Sequence, residues 1–140
     1  MGSRMRSAIL RLSGADWDPA EAVLSIGRAP NTLWRKGERQ RGGSPHEDSG
    51  CSFLVSRAED APELTSDVQQ FFRTNGPLVA EFTSGGVEAD LDIGVTVGTS
   101  KQYTASVSFE PDDLKTFAEL RVRLTLSAYP MSDEARSPGR

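Results

Sequence analysis

The sequence predicts an α+β domain: a mostly antiparallel sheet with helices packed on one face, arranged as two ferredoxin-like strand-helix-strand halves. Three observations predict it. Val87, Ala89, Leu91, Ile93, Val95 and Val97 alternate with Glu88, Asp90, Asp92, Gly94 and Thr96, the period of two that gives a strand one buried and one wet face. Helix-start signals containing proline recur at Asp18-Pro19, Asp60-Ala61-Pro62 and Glu110-Pro111. One-sided strands stand before and after these helices, and wet-faced strands favour antiparallel sheets covered on their other side.

The elements follow in order. Ala8, Leu10 and Leu12 alternate with Ile9 and Arg11 and predict a first strand. Asp18-Pro19-Ala20-Glu21 then supplies a capping aspartate, a proline at the first helical position and a glutamate three residues after the cap. Val23 and Ile26 mark the inner face of that helix, and Gly27 offers its left-handed stop. Ser52 to Ser56 reads as a strand with Cys51, Phe53 and Val55 on one side. The second helix, capped by Asp60, carries Leu64, Val68, Phe71 and Phe72 and is expected to end at Asn75-Gly76. Leu78, Ala80 and Phe82 predict a strand ending at Gly85-Gly86. Val87 to Val97 is expected to form a hairpin with Tyr103 to Phe109 through the turn Gly98-Thr99-Ser100-Lys101-Gln102. A third helix with a Leu114, Phe117, Ala118 stripe leads into a strand carrying Val122, Leu124, Leu126 and Ala128.

The chain has 140 residues. That length suits a single domain, here expected over residues 6–130, and buries roughly two-thirds of the unfolded surface. Residues 1–5 and 131–140 have the composition of flexible termini, and Met5 offers a second candidate start. Cys51 is the only cysteine, so an internal disulfide is excluded and a reducing, cytoplasmic setting is the natural expectation. No run approaches the ~18 apolar residues of a membrane helix. Residues 28–50 are polar, glycine-rich and unperiodic, longer than ordinary connections, and are expected to form a mobile or functional loop. Between Arg28 and Arg41, five cations stand against Glu38 alone; a loop of +4 within a chain of −4 leaves −8 on the remainder.

Several residues also carry a resemblance. Leu10-Arg11-Leu12-Ser13-Gly14, Asp18-Pro19, Val23, Ile26-Gly27, Pro30 and Trp34-Arg35-Lys36-Gly37-Glu38 resemble a bacterial domain-of-unknown-function family, number four-two-seven-nine. The close of the chain, Leu114 to Tyr129, is similar to that family's last helix and strand. Cys51-Ser52-Phe53 stands where the family pattern has a tryptophan. The resemblance implies a small bacterial α+β domain and brings no catalytic residues to transfer.

Chemistry has few footholds. His46 is the only histidine and sits in the polar loop, while a nucleophile-histidine device needs a histidine oriented by packed neighbours. Cys51 shares its strand face with Phe53 and Val55 and reads as a small buried hydrophobe. One cysteine and one histidine make a structural zinc site untenable, and no cofactor or metal is expected. Glu88, Asp90 and Asp92 share one strand face about 7 Å apart. They read either as a solvated face or as a stripe that steers a basic protein partner.

In the basic loop, Trp34 and Arg35 are of the residue types favoured as interface anchors. Arg28, Lys36, Arg39 and Arg41 would be the cations of an alternative nucleotide or anion site. The loop matches neither glycine-rich phosphate-binding pattern, and an acidic body opposes extended nucleic-acid binding. The leading expectation is a non-catalytic protein-binding inhibitor, most concretely a bacterial immunity protein that occludes a toxin. The alternative is a ligand-sensing module using residues 28–41.

Overall fold

The computed structural model describes residues 5–40, 42–98 and 104–130. Residues 1–4 and 131–140, which make up the expected flexible termini save Met5, lie outside the described residues, as do Arg41 and residues 99–103, which include all of the expected 98–102 turn but Gly98. The elements are β1 (Arg6–Gly14), α1 (Ala20–Ile26), β2 (Thr32–Trp34), β3 (Ser49–Ala58), α2 (Ala61–Ser84), β4 (Glu88–Val97), α3 (Pro111–Glu119) and β5 (Val122–Pro130). The fold is α+β, as expected. Its five strands form one mixed, mostly antiparallel sheet in the order β2-β3-β1-β4-β5.

β1 lies at the centre, antiparallel to both β3 and β4. β2 pairs antiparallel with β3, and β5 pairs parallel with β4. Because β3 and β4 flank β1 in the same direction, α2 must cross the sheet to connect them. α3 makes the shorter crossover from β4 to β5. β1 and β2, both antiparallel to β3, likewise run parallel to each other and are joined through α1. The first four strands thus form two interleaved strand-helix-strand units, β1-α1-β2 and β3-α2-β4, and α3 with β5 extends the sheet beyond β4.

One sheet face carries the core. Leu10, Leu12, Phe53, Leu91, Ile93, Leu64, Val68 and Val79 are fully buried there. α2 lies across β3, β1 and β4 and touches α1. Phe72 of α2 meets Phe117 of α3 edge-on at 5.4 Å between ring centroids. All three helices thus occupy this face. A register shift between Ala8 and Ile9 leaves Val55 as an extra residue opposite β1. Ser56 consequently turns toward the helices, where its hydroxyl donates to Asp67 of α2 at 2.6 Å.

Two expected strands are absent, for separable reasons. α2 continues through Asn75-Gly76-Pro77 to Ser84, so Leu78, Ala80 and Phe82 are helical. Its buried side runs Leu64, Val68, Phe71, Phe72, Asn75, Gly76, Val79 and Thr83, an unbroken helical stripe that overrides the local turn signal. Asn75 donates to the Phe71 carbonyl, and Thr83 donates to the carbonyl of Leu120, binding the helix end to the α3–β5 junction. Residues 104–110 form no strand of the five-stranded sheet. Their alternation is real, because Val107 and Phe109 pack against the core while their neighbours do not, but a helix-side groove replaces a β-ladder. Leu114 departs from the expected α3 stripe: it is exposed, and Phe117 is the buried residue of that helix.

Asp60 caps α2 as expected, accepting from the Glu63 N–H at 2.8 Å. α1 starts one residue later than expected: Pro19 takes the N-cap, and Asp18 accepts from the Ala20 N–H at 3.0 Å just outside the helix. Asp113 reaches back to the Glu110 N–H at 2.9 Å, closing the first turn of α3.

Candidate functional site

The sheet face away from the helices is the candidate site. Strand register sorts its side chains into rows. One row runs Thr32, Ser52, Arg11, Asp90 and Arg123; the next runs Leu54, Ile9, Asp92 and Thr125. A third runs Trp34, Gly50, Ser13 and Glu88. Glu88, Asp90 and Asp92 therefore do share one strand face, and that face is the one no helix covers.

The stripe is less isolated than its sequence suggests. Asp90 lies in register between Arg11 and Arg123, at the ~5 Å spacing of facing Cβ atoms. The Thr125 hydroxyl donates to Asp90 Oδ1 at 2.6 Å, and the Ser127 hydroxyl donates to Asp92 Oδ1 at 2.8 Å. Glu88 faces Arg123 at 3.9 Å with both side chains largely exposed, a pair of little energetic weight. Two of the three carboxylates are thus held in fixed positions by hydroxyls of the neighbouring strand. The signal for this was available in the Thr125 and Ser127 side of the last strand, but only the β4–β5 pairing reveals that it faces the acids.

Trp34 is built into the domain. It is 6% exposed and its ring crosses Gly50 of β3. The Arg11 guanidinium sits 4.1 Å from the ring centroid, and His46 stacks on the indole at 5.8 Å. The indole N–H donates to Asp48 at 3.0 Å. A Cβ at residue 50 would meet the Trp34 ring and lie 2.5 Å from the Leu12 carbonyl oxygen, so only glycine fits beneath the indole. Tyr129 makes a similar approach over Gly94 at the opposite corner, where an added Cβ would be 3.1 Å from the ring. Arg11, Tyr129, Gly50 and Gly94 were not among the predicted site residues. Glycines inside the strands Ser49–Ala58 and Glu88–Val97 were the available signal, since a strand glycine marks a close approach.

The basic loop does not gather its cations. Arg28 donates to the Leu54 carbonyl at 2.8 Å and lies 5.3 Å from the Phe71 ring, on the helix side. Arg35 pairs with Asp18 at 2.8 Å. That bond, helped by the Ala20 N–H, holds the Asp18 carboxyl below its ordinary range. Arg39 donates to the Gly43 carbonyl within its own turn, and the Lys36 backbone N–H donates to Ser49 Oγ. Further hydrogen bonds join Gly37 to His46, His46 to Glu38, and Gln40 to Ser44. The segment expected to be mobile is thus a hydrogen-bonded excursion that carries His46 onto Trp34.

Cys51 is buried on the helix side, where loss of water pushes its thiol pKa up to about 11. The nucleophilic thiolate is correspondingly disfavoured at neutral pH. Shallow clefts lie among the helices, and three of them bear on the site. One of about 440 Å³ runs between α2 and α3 over Val68, Phe72 and Phe117, with Gln69 bonded to Asp113 across it. None of the three is lined by Cys51, His46 or the β4 carboxylates. No group of three or more metal-ligating side chains occurs among the described residues. Among the same residues, no helix is long and apolar enough to cross a membrane. Comparison with known proteins finds no matching family model, curated protein or solved structure, so the resemblance to the four-two-seven-nine family rests on the quoted residues alone.

Proposed function

We propose that the chain is a non-catalytic protein-binding inhibitor, of the kind with which bacteria neutralise a toxin by covering it, and that the open sheet face is its contact surface. The observation that carries this reading is a helix-free face whose carboxylates are already fixed. Asp90 and Asp92 are gripped by Thr125 and Ser127 before any partner arrives. Side chains ordered in advance lose little rotamer freedom on binding. Four strands of nine or ten residues and the three-residue β2, about 4.8 Å apart, present a face on the order of 650 Å². That is close to the ~800 Å² each partner contributes to a standard interface. The residues that would serve an enzyme have other employment here: Cys51 fills the core and His46 braces Trp34.

The face gives the partner a pattern to match. Arg11 and Arg123 flank Asp90, with Glu88 and Asp92 one step above and below it on β4, so a complementary surface needs both charges in register. Leu54 and Tyr129 add exposed apolar surface, while Trp34 and Arg35 form a rigid border. Reversing Glu88, Asp90 and Asp92 to lysine is expected to slow association with the captured partner several-fold at low salt, as steering charges do. An unchanged association rate would remove the acidic face from the reading. Turnover of a substrate by the isolated chain would remove the reading itself.

A further inference from the structure

The two edges of the sheet are finished differently, and the difference assigns one of them a use. Isolated edge strands invite pairing with another chain, so soluble domains usually shorten, cover or charge them. β2 is such an edge: three residues long, with Trp34 held down by Arg11, His46 and Asp48. β5 carries fewer of these devices. It is nine residues long, pairs only with β4 among the described residues, and Arg123 is its one charged residue.

Beyond Val122, no described helix covers the helix-side face of β5 either. Register with Leu91, Ile93 and Val95 puts Leu124, Leu126 and Ala128 on the face that is core elsewhere in the sheet. Yet Leu124 is 36% and Leu126 72% exposed, and only Val122 at the strand's start is buried. The apolar alternation therefore runs past the end of the helical cover, onto an edge with free backbone.

We infer that β5 pairs antiparallel with β5 of a second copy of this chain, about a two-fold axis at Leu126. Leu126 is the midpoint of the strand and its most exposed apolar residue. The sequence is self-complementary in that register. Leu126 meets itself, Leu124 meets Ala128 of the second copy, and large faces small along the apolar side. On the open side Thr125 meets Ser127, and Arg123 meets Tyr129, a cation over an aromatic ring.

Charge favours the antiparallel direction. In-register parallel pairing would set Arg123 against Arg123 of the second copy, whereas the antiparallel register sets it against Tyr129. The acidic stripes of the two copies stand three strand spacings apart, about 14 Å. That exceeds the ~8 Å Debye length at physiological salt, so they do not oppose the pairing. A two-fold axis perpendicular to the sheet leaves both open faces on the same side of a ten-stranded sheet.

Sedimentation velocity over a concentration series tests this with the full chain and two sets of variants. The wild type is expected to sediment as a dimer and L126K as a monomer with an unchanged circular dichroism spectrum, since Leu126 is largely exposed in the single chain. L126C is expected to form an intermolecular disulfide roughly tenfold faster or more than L24C, because only facing residues have Cβ atoms within bonding range. Leu24 is the control because it is 82% exposed and lies on α1, away from β5. A monomeric wild type would overturn the inference, whether β5 is then unoccupied or taken by a foreign strand. So would a dimer that survives L126K, or equal cross-linking of L126C and L24C.

Discussion

Two corners of the open face solve the same problem with unequal rigour. At the β2 corner, Trp34 lies on Gly50 and is clamped by Arg11, His46 and Asp48. At the β5 corner, Tyr129 lies on Gly94 yet stays 54% exposed. Both glycines make room for a ring against the backbone, but only one ring is enclosed. The comparison teaches that a strand glycine sets where an aromatic can lie, while the surrounding side chains decide whether that contact stabilises the fold.

Substitutions can break the comparison in order of size. Gly50→Ala is expected to be the most damaging, at about 4 kcal/mol, because the new methyl meets the indole on one side and the fixed Leu12 carbonyl on the other. Urea denaturation checks it, and a loss below that of Gly94→Ala would show that the indole moves aside easily. Trp34→Ala is expected to cost about 3 kcal/mol, the lower end for a large buried aromatic, since the ring rests on the sheet surface rather than inside the core. The same titration should show the loss shared with His46→Ala in a double mutant, because the two rings touch.

Gly94→Ala is expected to cost only about 1 kcal/mol. The atoms it approaches, Ser7 Oγ at 2.9 Å and the Tyr129 ring at 3.1 Å, belong to side chains that can turn away. A separate effect appears only in alkali. Cys51, beside Gly50 on β3, has its thiol raised from 9.0 to about 11 by burial. A raised pKa means that the folded state holds the proton more firmly. The stability it contributes is complete below the unfolded value and is lost as pH climbs toward 11. Thermal melts of the wild type and Cys51→Ala from neutral pH to pH 11 should therefore converge at the alkaline end.

The parts legible in the sequence were those fixed by local chemistry. The capping Asp60, the helix opening at Glu110-Pro111, the left-handed Gly27 and the shared face of Glu88, Asp90 and Asp92 needed no knowledge of distant neighbours. The failures came where long-range packing decided. Asn75-Gly76-Pro77 reads as a helix stop, yet the buried stripe from Leu64 to Thr83 continues through it. Tyr103 to Phe109 reads as the hairpin mate of β4, yet the distant β5 takes that place and residues 104–110 pack beneath the helices. At the site, charge counting found the acids but could not see that Arg11 and Arg123 stand on either side of Asp90. Trp34 was legible as a residue of consequence; its enclosure by His46 and Asp48 depended on a loop closing on itself.

The extra residue opposite Ala8 has a further bearing on how this chain tolerates change. Upstream of Val55, odd-numbered positions of β3 look inward; downstream, even-numbered positions do, as Ser56 and Ala58 demonstrate. Losing Val55 would leave a regular ladder in which Ser56 still faces Ala8 and looks inward while Arg57 stays outside, so the loss is confined to one buried side chain. A residue lost from β1 opposite Phe53 would instead shift every later pair, so β3 tolerates a change of length at its bulge better than either strand does elsewhere.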